Sequence, residues 1–151
     1  MYSKKLQTLI NYLKGDWISQ QTIYDFIEKK ITSYEYKMKI FSSQQLNEIN
    51  LSVNSYICQY KSSKKIIYDY VPLNNKYPII GKLKKKINDK VNQYIFKLND
   101  INNLKILHSN NKIIYIEYIY LINSNFKISV IVIKKSNQYN AISFTSDIKI
   151  I

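Results

Sequence analysis

A chain of 151 residues is long enough to bury roughly two thirds of the surface that its unfolded form exposes, and we predict one domain spanning residues 1–151. Its single cysteine, Cys58, excludes an internal disulfide and a cysteine metal cluster, and predicts a reducing compartment. No secretory signal is expected, because the N-terminal stretch has neither a long hydrophobic core nor a small-residue cleavage site, and no membrane span is expected, since no run of about eighteen apolar residues occurs.

The formal net charge of +13 points first to nucleic acid or an anionic surface. All 23 basic residues are lysine, however, and none is arginine, the side chain that binds guanine edges and phosphates with two bonds. Lys, Ile, Asn and Tyr are abundant while Ala, Gly and Arg are scarce, the pattern expected of a very AT-rich genome such as that of a plastid. The charge is therefore weak support for a function, and we do not expect nucleic acid as a partner.

The first predicted element is a helix near the N-terminus. Apolar residues recur there at helical spacing, with Ser3 as a candidate N-cap and Gly15 as the stop signal. The residues of the apolar face are Leu6, Leu9, Ile10 and Leu13.

After Gly15 the hydrophobic period changes from helical to twofold. Ten segments rich in Ile, Tyr, Phe and Val, separated by Ser, Asn, Lys or Pro clusters, predict an antiparallel meander. Closure into a ten-stranded all-β barrel is expected because it removes exposed edges, and barrels of this size can hold a small ligand. The predicted strands are 16–29, 33–42, 50–60, 65–71, 76–84, 91–98, 104–109, 112–122, 125–135 and 139–150.

Glu117 is a carboxylate within an otherwise apolar strand. Alternation places it on one face with Tyr115 and Ile119, and the opposite face is equally apolar. Burial favours the neutral form of a carboxyl group, which suits a proton donor or a group that binds ligand N–H groups. An ion pair with a lysine on a neighbouring strand is an equally good interpretation.

Lys127 and Asp147 are polar residues in the last two predicted strands. Lys127 shares a face with Ser129 and Ile131, where it can receive an acidic ligand group or simply be solvated. Asp147 faces either solvent or a polar cavity, because alternation does not tell which face of a ligand barrel is inside.

The sequence lacks some of the residues needed for other common catalytic, metal-binding and phosphate-binding sites. His108 is the sole histidine and lies beside a predicted turn, so Ser-His-Asp, Cys-His and histidine metal sites are interpreted as incomplete, and no metal is expected. Two glycines, Gly15 and Gly81, cannot build a phosphate-binding loop. The basic cluster at Lys82 and Lys84–Lys86 is interpreted as a solvated edge strand, with docking of an acidic partner as the alternative. Cys58 is interpreted as a small apolar residue.

Several short motifs, in one order along most of the chain, resemble the S-type phycobiliprotein lyases (CpcS/CpeS type). Gly15–Thr22 resembles Gly-x-Trp-x-Ser-Gln-Arg-Thr, Ser55-Tyr56 resembles Ser-Trp, and Glu117–Tyr120 resembles Glu-Arg-Ile-Trp. The remaining matches are Val71-Pro72, Gly81-Lys82-Leu83, Asn125-Phe126-Lys127 to Asn-Leu-Arg, and Ser143–Lys149 to Ser-Phe-Cys-Ser-Glu-Ile-Arg.

The resemblance implies a lipocalin-like or fatty-acid-binding-protein-like barrel of ten strands with an N-terminal helix. It implies a chromophore lyase that attaches a linear tetrapyrrole, phycocyanobilin or phycoerythrobilin, to a phycobiliprotein cysteine as a thioether. The phycobilin is then a substrate and no true cofactor is expected. Glu117 and Asp147 match carboxylates suited to binding pyrrole nitrogens and moving a proton. The implied bilin-binding residues are Lys127, Ser129, Tyr56, Tyr120 and Trp17.

Some positions depart from the family pattern. Ser129 stands where a second arginine is common, Gln21 replaces another arginine, and Lys127 is a point charge in place of an arginine fork. Tyr56 and Tyr120 replace tryptophans.

The expected partners are an apo-phycobiliprotein subunit and a bilin in the plastid stroma, with the chain acting alone, as a homodimer or with another lyase subunit. Two further functions stay open: a bilin carrier without transferase activity, and a basic barrel that binds RNA through Lys and Tyr.

Overall fold

The computed structural model describes residues 4–42 and 53–150. Helix α1, Lys4–Leu13, buries the four predicted apolar residues and confirms the helical period, while the candidate N-cap Ser3 lies outside the described residues. The chain leaves the helix through Gly15, whose φ of 139° is a backbone conformation that side-chain-bearing residues rarely adopt.

Ten strands follow the helix, each rich in β-branched and aromatic residues. Their number and order agree with the alternation read from the sequence. They are β1 Gly15–Asp25, β2 Lys30–Ser42, β3 Ser55–Tyr60, β4 Lys65–Pro72, β5 Ile79–Ile87, β6 Lys90–Asp100, β7 Asn103–Ser109, β8 Ile113–Asn123, β9 Phe126–Lys135 and β10 Gln138–Ile150.

The strands form a closed antiparallel barrel in which sequence neighbours pair and β1 closes the sheet against β10. The predicted all-β, ten-stranded barrel with an N-terminal helix is therefore confirmed. Closure gives the first and last strands partners on both sides. Residues 16–25 of β1 pair in register with residues 141–150 of β10.

An apolar core fills the barrel near α1. Trp17 at the start of β1 is fully buried, and its Nε1 donates a hydrogen bond to the Leu13 carbonyl at 2.9 Å. This bond and the apolar face of the helix fix α1 against the barrel. The interior therefore has an apolar region next to the helix, which leaves the inward-facing polar residues to gather farther along the strands.

The basic cluster on β5 is divided by strand alternation. Lys82, Lys84 and Lys86 are exposed, whereas Lys85 follows Leu83 into the interior and is partly buried. The interpretation of this segment as an edge strand is wrong, because β5 pairs with β4 on one side and with β6 on the other. One of these lysines therefore belongs to the inside of the barrel.

Replacement of Gly81 by alanine is expected to lower the free energy of unfolding by about 3 kcal/mol, because the added methyl group overlaps the backbone of the adjacent strand. A Cβ there would meet the Val71 carbonyl oxygen, and would lie 2.8 Å from both Pro72 Cα and Phe96 Cε1. Urea unfolding followed by circular dichroism measures the loss. Lys82→Ala, at the exposed neighbouring position, is the control, and equal midpoints for both variants would contradict the close approach.

Candidate functional site

A cavity of about 190 Å³ lies inside the barrel and borders the apolar core. Leu13 of the helix contributes to its lining, and the strands supply a wall rich in tyrosine. Four ionisable side chains of opposite sign also line it: Lys85, Glu117, Lys127 and Asp147. Two acids and two bases in one enclosed space are costly unless they pair, and their pairing defines the site.

The first pair joins β9 and β10. Strand register places Lys127 directly opposite Asp147, and Asp147 directly opposite Ser19 of β1. Lys127 Nζ lies 2.7 Å from Asp147 Oδ2, and Ser19 Oγ donates a hydrogen bond to Asp147 Oδ1. Both carboxylate oxygens therefore have a donor, which offsets the cost of burying an aspartate that is only 2% exposed.

The second pair crosses the barrel interior. Glu117 Oε1 of β8 lies 3.5 Å from Lys85 Nζ of β5, although three steps separate these strands in the sheet. The Tyr115 hydroxyl donates to the same carboxylate oxygen at 2.9 Å. Glu117 therefore has a lysine partner and also lines the cavity. An ion pair with lysine and a role in ligand binding are thus compatible for this residue. Its lysine comes from across the barrel, which corrects the expectation of a neighbouring strand.

Three tyrosine rings surround the Lys85 ammonium group. Its Nζ lies 4.7 Å from the ring centroid of Tyr94, 5.3 Å from that of Tyr68 and 5.5 Å from that of Tyr115. Ring faces attract a cation through their quadrupole, and the attraction is stronger where water is scarce. The tyrosines thereby stabilise a lysine whose side chain is only 12% exposed.

Burial and nearby carboxylates keep the cavity tyrosines neutral. Burial, with a smaller contribution from the Asp147 charge, raises the pKa of Tyr36 to about 12. Burial and the charge of Glu117 raise the pKa of Tyr115 well above its usual range. Burial also raises the pKa of the Cys58 thiol. The wall therefore offers hydroxyl donors, and the protonated Cys58 contributes apolar lining.

Stability is expected to fall as the pH rises above about 10, the ordinary pKa of tyrosine. Below that value both the folded and the unfolded chain keep the Tyr36 proton, so its contribution is complete. Between pH 10 and about 12 the unfolded chain loses this proton while the folded chain retains it, which favours unfolding. In this range the Tyr36 contribution to the free energy of unfolding falls by up to about 1.4 kcal/mol per pH unit.

Urea unfolding of the unmodified protein and of Tyr36→Phe between pH 8 and 12 measures this contribution. The variant lacks the phenol, so its stability should decline less steeply with pH. Tyr34→Phe, at an exposed position on the same strand, is the control for loss of a hydroxyl group. Parallel declines for Tyr36→Phe and the unmodified protein would show that the Tyr36 proton does not contribute.

The structure brings most of the predicted site residues together. Tyr56 and Ser129 line the cavity with Glu117, Lys127 and Asp147. The Tyr56 hydroxyl lies 2.9 Å from that of Tyr70, within the apolar region.

Trp17 and Tyr120 do not line this cavity. Trp17 lies next to it, with its ring centroid 5.0 Å from Lys127 Nζ. Tyr120 lies on the outer face of β8, 37% exposed and stacked on Tyr118. Since Glu117 faces inward, residues an odd number of positions away along the strand face outward, and this alternation separates Tyr120 from the rest.

Two residues of the site were missed by the sequence reasoning. Ser19 shares the inner face of β1 with Trp17, and Lys85 shares the inner face of β5 with Ile79, Gly81 and Leu83. The alternation along β5 could have indicated that Lys85 faces inward. Lys85 is the next residue on the face that buries Ile79, Gly81 and Leu83. The pairing of Ser19 with Asp147, and of Lys85 with Glu117, depends on the order of the strands in the barrel.

Within residues 4–42 and 53–150, no three His, Cys, Asp or Glu side chains form a group that could hold a metal ion. No helix in these two ranges has the length and apolar character needed to cross a membrane.

Comparison with known proteins identifies a relative over nearly the whole chain. The sequence is 35% identical over 150 residues to the chromophore lyase CpcS/CpeS homolog of Gracilaria tenuistipitata var. liui, covering 95% of this chain and 97% of the relative. A scan against protein-family profiles found no match.

Solved structures share the fold. The S-type phycobiliprotein lyase CPES from Guillardia theta superposes with a TM-score of 0.70 at 10% identity, covering 97% of this chain and 93% of that one. A DUF3598-family protein of unknown function from Nostoc punctiforme superposes with a TM-score of 0.61 at 12% identity, covering 93% of this chain and 49% of that one.

Proposed function

Since the chain belongs to the CpcS/CpeS family of chromophore lyases, we propose that it attaches a phycobilin to a cysteine of a phycobiliprotein subunit through a thioether. The observation that carries the proposal is the placement of Glu117 and Asp147, each beside a lysine, in one barrel cavity. The proposed partners are the bilin and the apo-phycobiliprotein subunit, and the proposed compartment is the plastid stroma.

The cavity offers groups complementary to a linear tetrapyrrole. Pyrrole N–H groups are hydrogen-bond donors, and the carboxylates of Glu117 and Asp147 accept such bonds. Propionate groups need cations, and Lys127 retains ammonium N–H donors beyond the one directed at Asp147. The enclosed volume of about 190 Å³ is below the roughly 300–1,000 Å³ of sites that enclose a drug-sized ligand, so we place the bilin partly at the cavity mouth.

The proposed reaction is the addition of a thiol to the ethylidene group of the bilin. A carbon–sulfur bond forms, the π bond of the ethylidene double bond breaks, and the thiol proton is balanced by a proton added to the tetrapyrrole. No oxidant or reductant is consumed. The barrel contributes by holding the reactive carbon in one orientation toward the incoming thiol, and Glu117 and Asp147 move the proton.

A carrier without transferase activity is the second candidate. It is favoured by the contacts of Asp147, whose two oxygens each already accept one bond, from Ser19 and from Lys127. An acid held in this way can orient a ligand without exchanging a proton with it.

Glu117→Gln separates the two functions. Glutamine keeps the size and an acceptor oxygen but does not exchange a proton, so a lyase should lose about 100-fold in the rate of thioether formation while bilin affinity changes far less. The rate is followed by zinc-induced fluorescence of denatured acceptor protein, and affinity by absorbance titration. Glu35→Gln, at an exposed position of β2, is the matched control. Equal losses of rate and affinity would favour the carrier.

A further inference from the structure

We infer that Lys85 is a second carboxylate-binding cation of the cavity and receives one propionate of the bound tetrapyrrole. This assignment rests on the proposed function. It adds a binding residue on β5 to the site residues already placed on β8, β9 and β10. It is carried by the contacts of the two cavity lysines, which differ in the length of the ion pair and in the number of aromatic rings around the cation.

Lys127 is held closely by a carboxylate of the protein. Its Nζ lies 2.7 Å from Asp147 Oδ2, the distance of a strong charge-assisted hydrogen bond. Lys85 Nζ lies 3.5 Å from Glu117 Oε1, which is beyond the usual 2.7–2.9 Å of such a bond. Of the two ammonium groups, Lys85 is therefore the one whose pairing with its carboxylate is the weaker.

The tyrosine rings hold Lys85 in place without using its N–H donors. Attraction to the faces of Tyr68, Tyr94 and Tyr115 depends on charge and ring orientation, so the three ammonium hydrogens are left for oxygen acceptors. A ligand carboxylate that reaches Lys85 then meets a cation whose position is already fixed, which reduces the entropy lost on binding.

Binding of a ligand carboxylate requires an exchange of partners in the cavity. The two acids and two lysines of the cavity have a formal charge sum of zero, so each bound carboxylate adds one negative charge. When a ligand carboxylate pairs with Lys85, Glu117 is released from that lysine and can accept a pyrrole N–H. Glu117 then exchanges its lysine for neutral donors, the pyrrole N–H and the Tyr115 hydroxyl, which offset part of the cost of the lost ion pair.

The strand order places the two lysines on different walls. Lys85 is on β5 and Lys127 is on β9, four steps apart in the ten-stranded barrel. A ligand with two carboxylates can use both lysines, one for each group. The linear tetrapyrrole, with two propionates on its central rings, belongs to this chemical class.

The test compares phycocyanobilin with its dimethyl ester, in which both propionates are neutral. The unmodified protein should bind the free acid more tightly than the ester. Lys85→Met should weaken binding of the free acid by about tenfold and leave the ester affinity unchanged. Lys84→Met, an exposed lysine on the same strand, removes the same charge outside the cavity and should leave both affinities unchanged.

Equal weakening of acid and ester by Lys85→Met would overturn the assignment, as would no effect on either. The double variant Lys85→Met/Glu117→Gln removes both charges of the pair, so it carries the same acid-selective test if the single variant does not fold. Failure of the unmodified protein to bind either compound would instead refute the proposed function, and this inference with it.

Discussion

Replacement of Asp147 by alanine is expected to lower the free energy of unfolding by about 3–5 kcal/mol and to abolish bilin attachment. The change leaves the ammonium group of Lys127, a residue that is only 8% exposed, without its carboxylate partner, and removes the acceptor of Ser19. Urea unfolding followed by circular dichroism measures the stability, and zinc-induced fluorescence of the acceptor measures attachment.

The double variant Asp147→Ala/Lys127→Met distinguishes an unpaired charge from lost packing. Because it removes both charges, it should recover most of the stability lost in the single variant while remaining inactive. Additive losses in the two single variants and the double variant would contradict a direct coupling between these side chains.

Replacement of Trp17 by alanine is expected to cost about 3–5 kcal/mol of unfolding free energy, because it empties a fully buried site between the helix and the barrel. It also removes the hydrogen bond to the Leu13 carbonyl and the ring whose centroid lies 5.0 Å from Lys127 Nζ. Trp17 is the only tryptophan in the sequence, so unfolding is followed by circular dichroism instead of intrinsic fluorescence.

Trp17→Phe is the companion variant. It retains an aromatic ring and most of the apolar volume but lacks the indole N–H, so its cost should be smaller and should include about 1 kcal/mol for the hydrogen bond. If the alanine and phenylalanine variants were equally stable, the packing of this ring would not be what fixes the helix to the barrel.

The strand pattern was readable from sequence because the period of two is strong in segments of Ile, Tyr and Val. The segment 104–109 was predicted almost as observed, Asn103–Ser109, since an apolar residue recurs there at alternate positions. The segment 76–84 was placed about three residues early, against Ile79–Ile87, because consecutive lysines resemble a connection when strand pairing is unknown. Strand pairing on both sides holds those lysines in the sheet.

The site could be predicted only in part from the sequence, since its contacts join residues that are distant along the chain. Alternation placed Glu117 on one face of β8 but could not supply Lys85, whose approach depends on closure of the barrel. Tyr120 was assigned to the bilin from the resemblance alone, although the same alternation puts it on the face opposite Glu117. The structure agrees with the alternation, because β8 is a regular strand through these positions.

Covalent transfer of a bilin to an acceptor cysteine is the measurement that decides whether this chain is a lyase. An apo-phycobiliprotein subunit is incubated with phycocyanobilin or phycoerythrobilin, with and without the purified chain, and its intact mass is measured after denaturation. We expect one added bilin mass on a single acceptor cysteine, formed faster and at fewer sites than without the chain. The same mass distribution with and without the chain, under conditions where the chain binds the bilin, would contradict lyase activity of the chain alone.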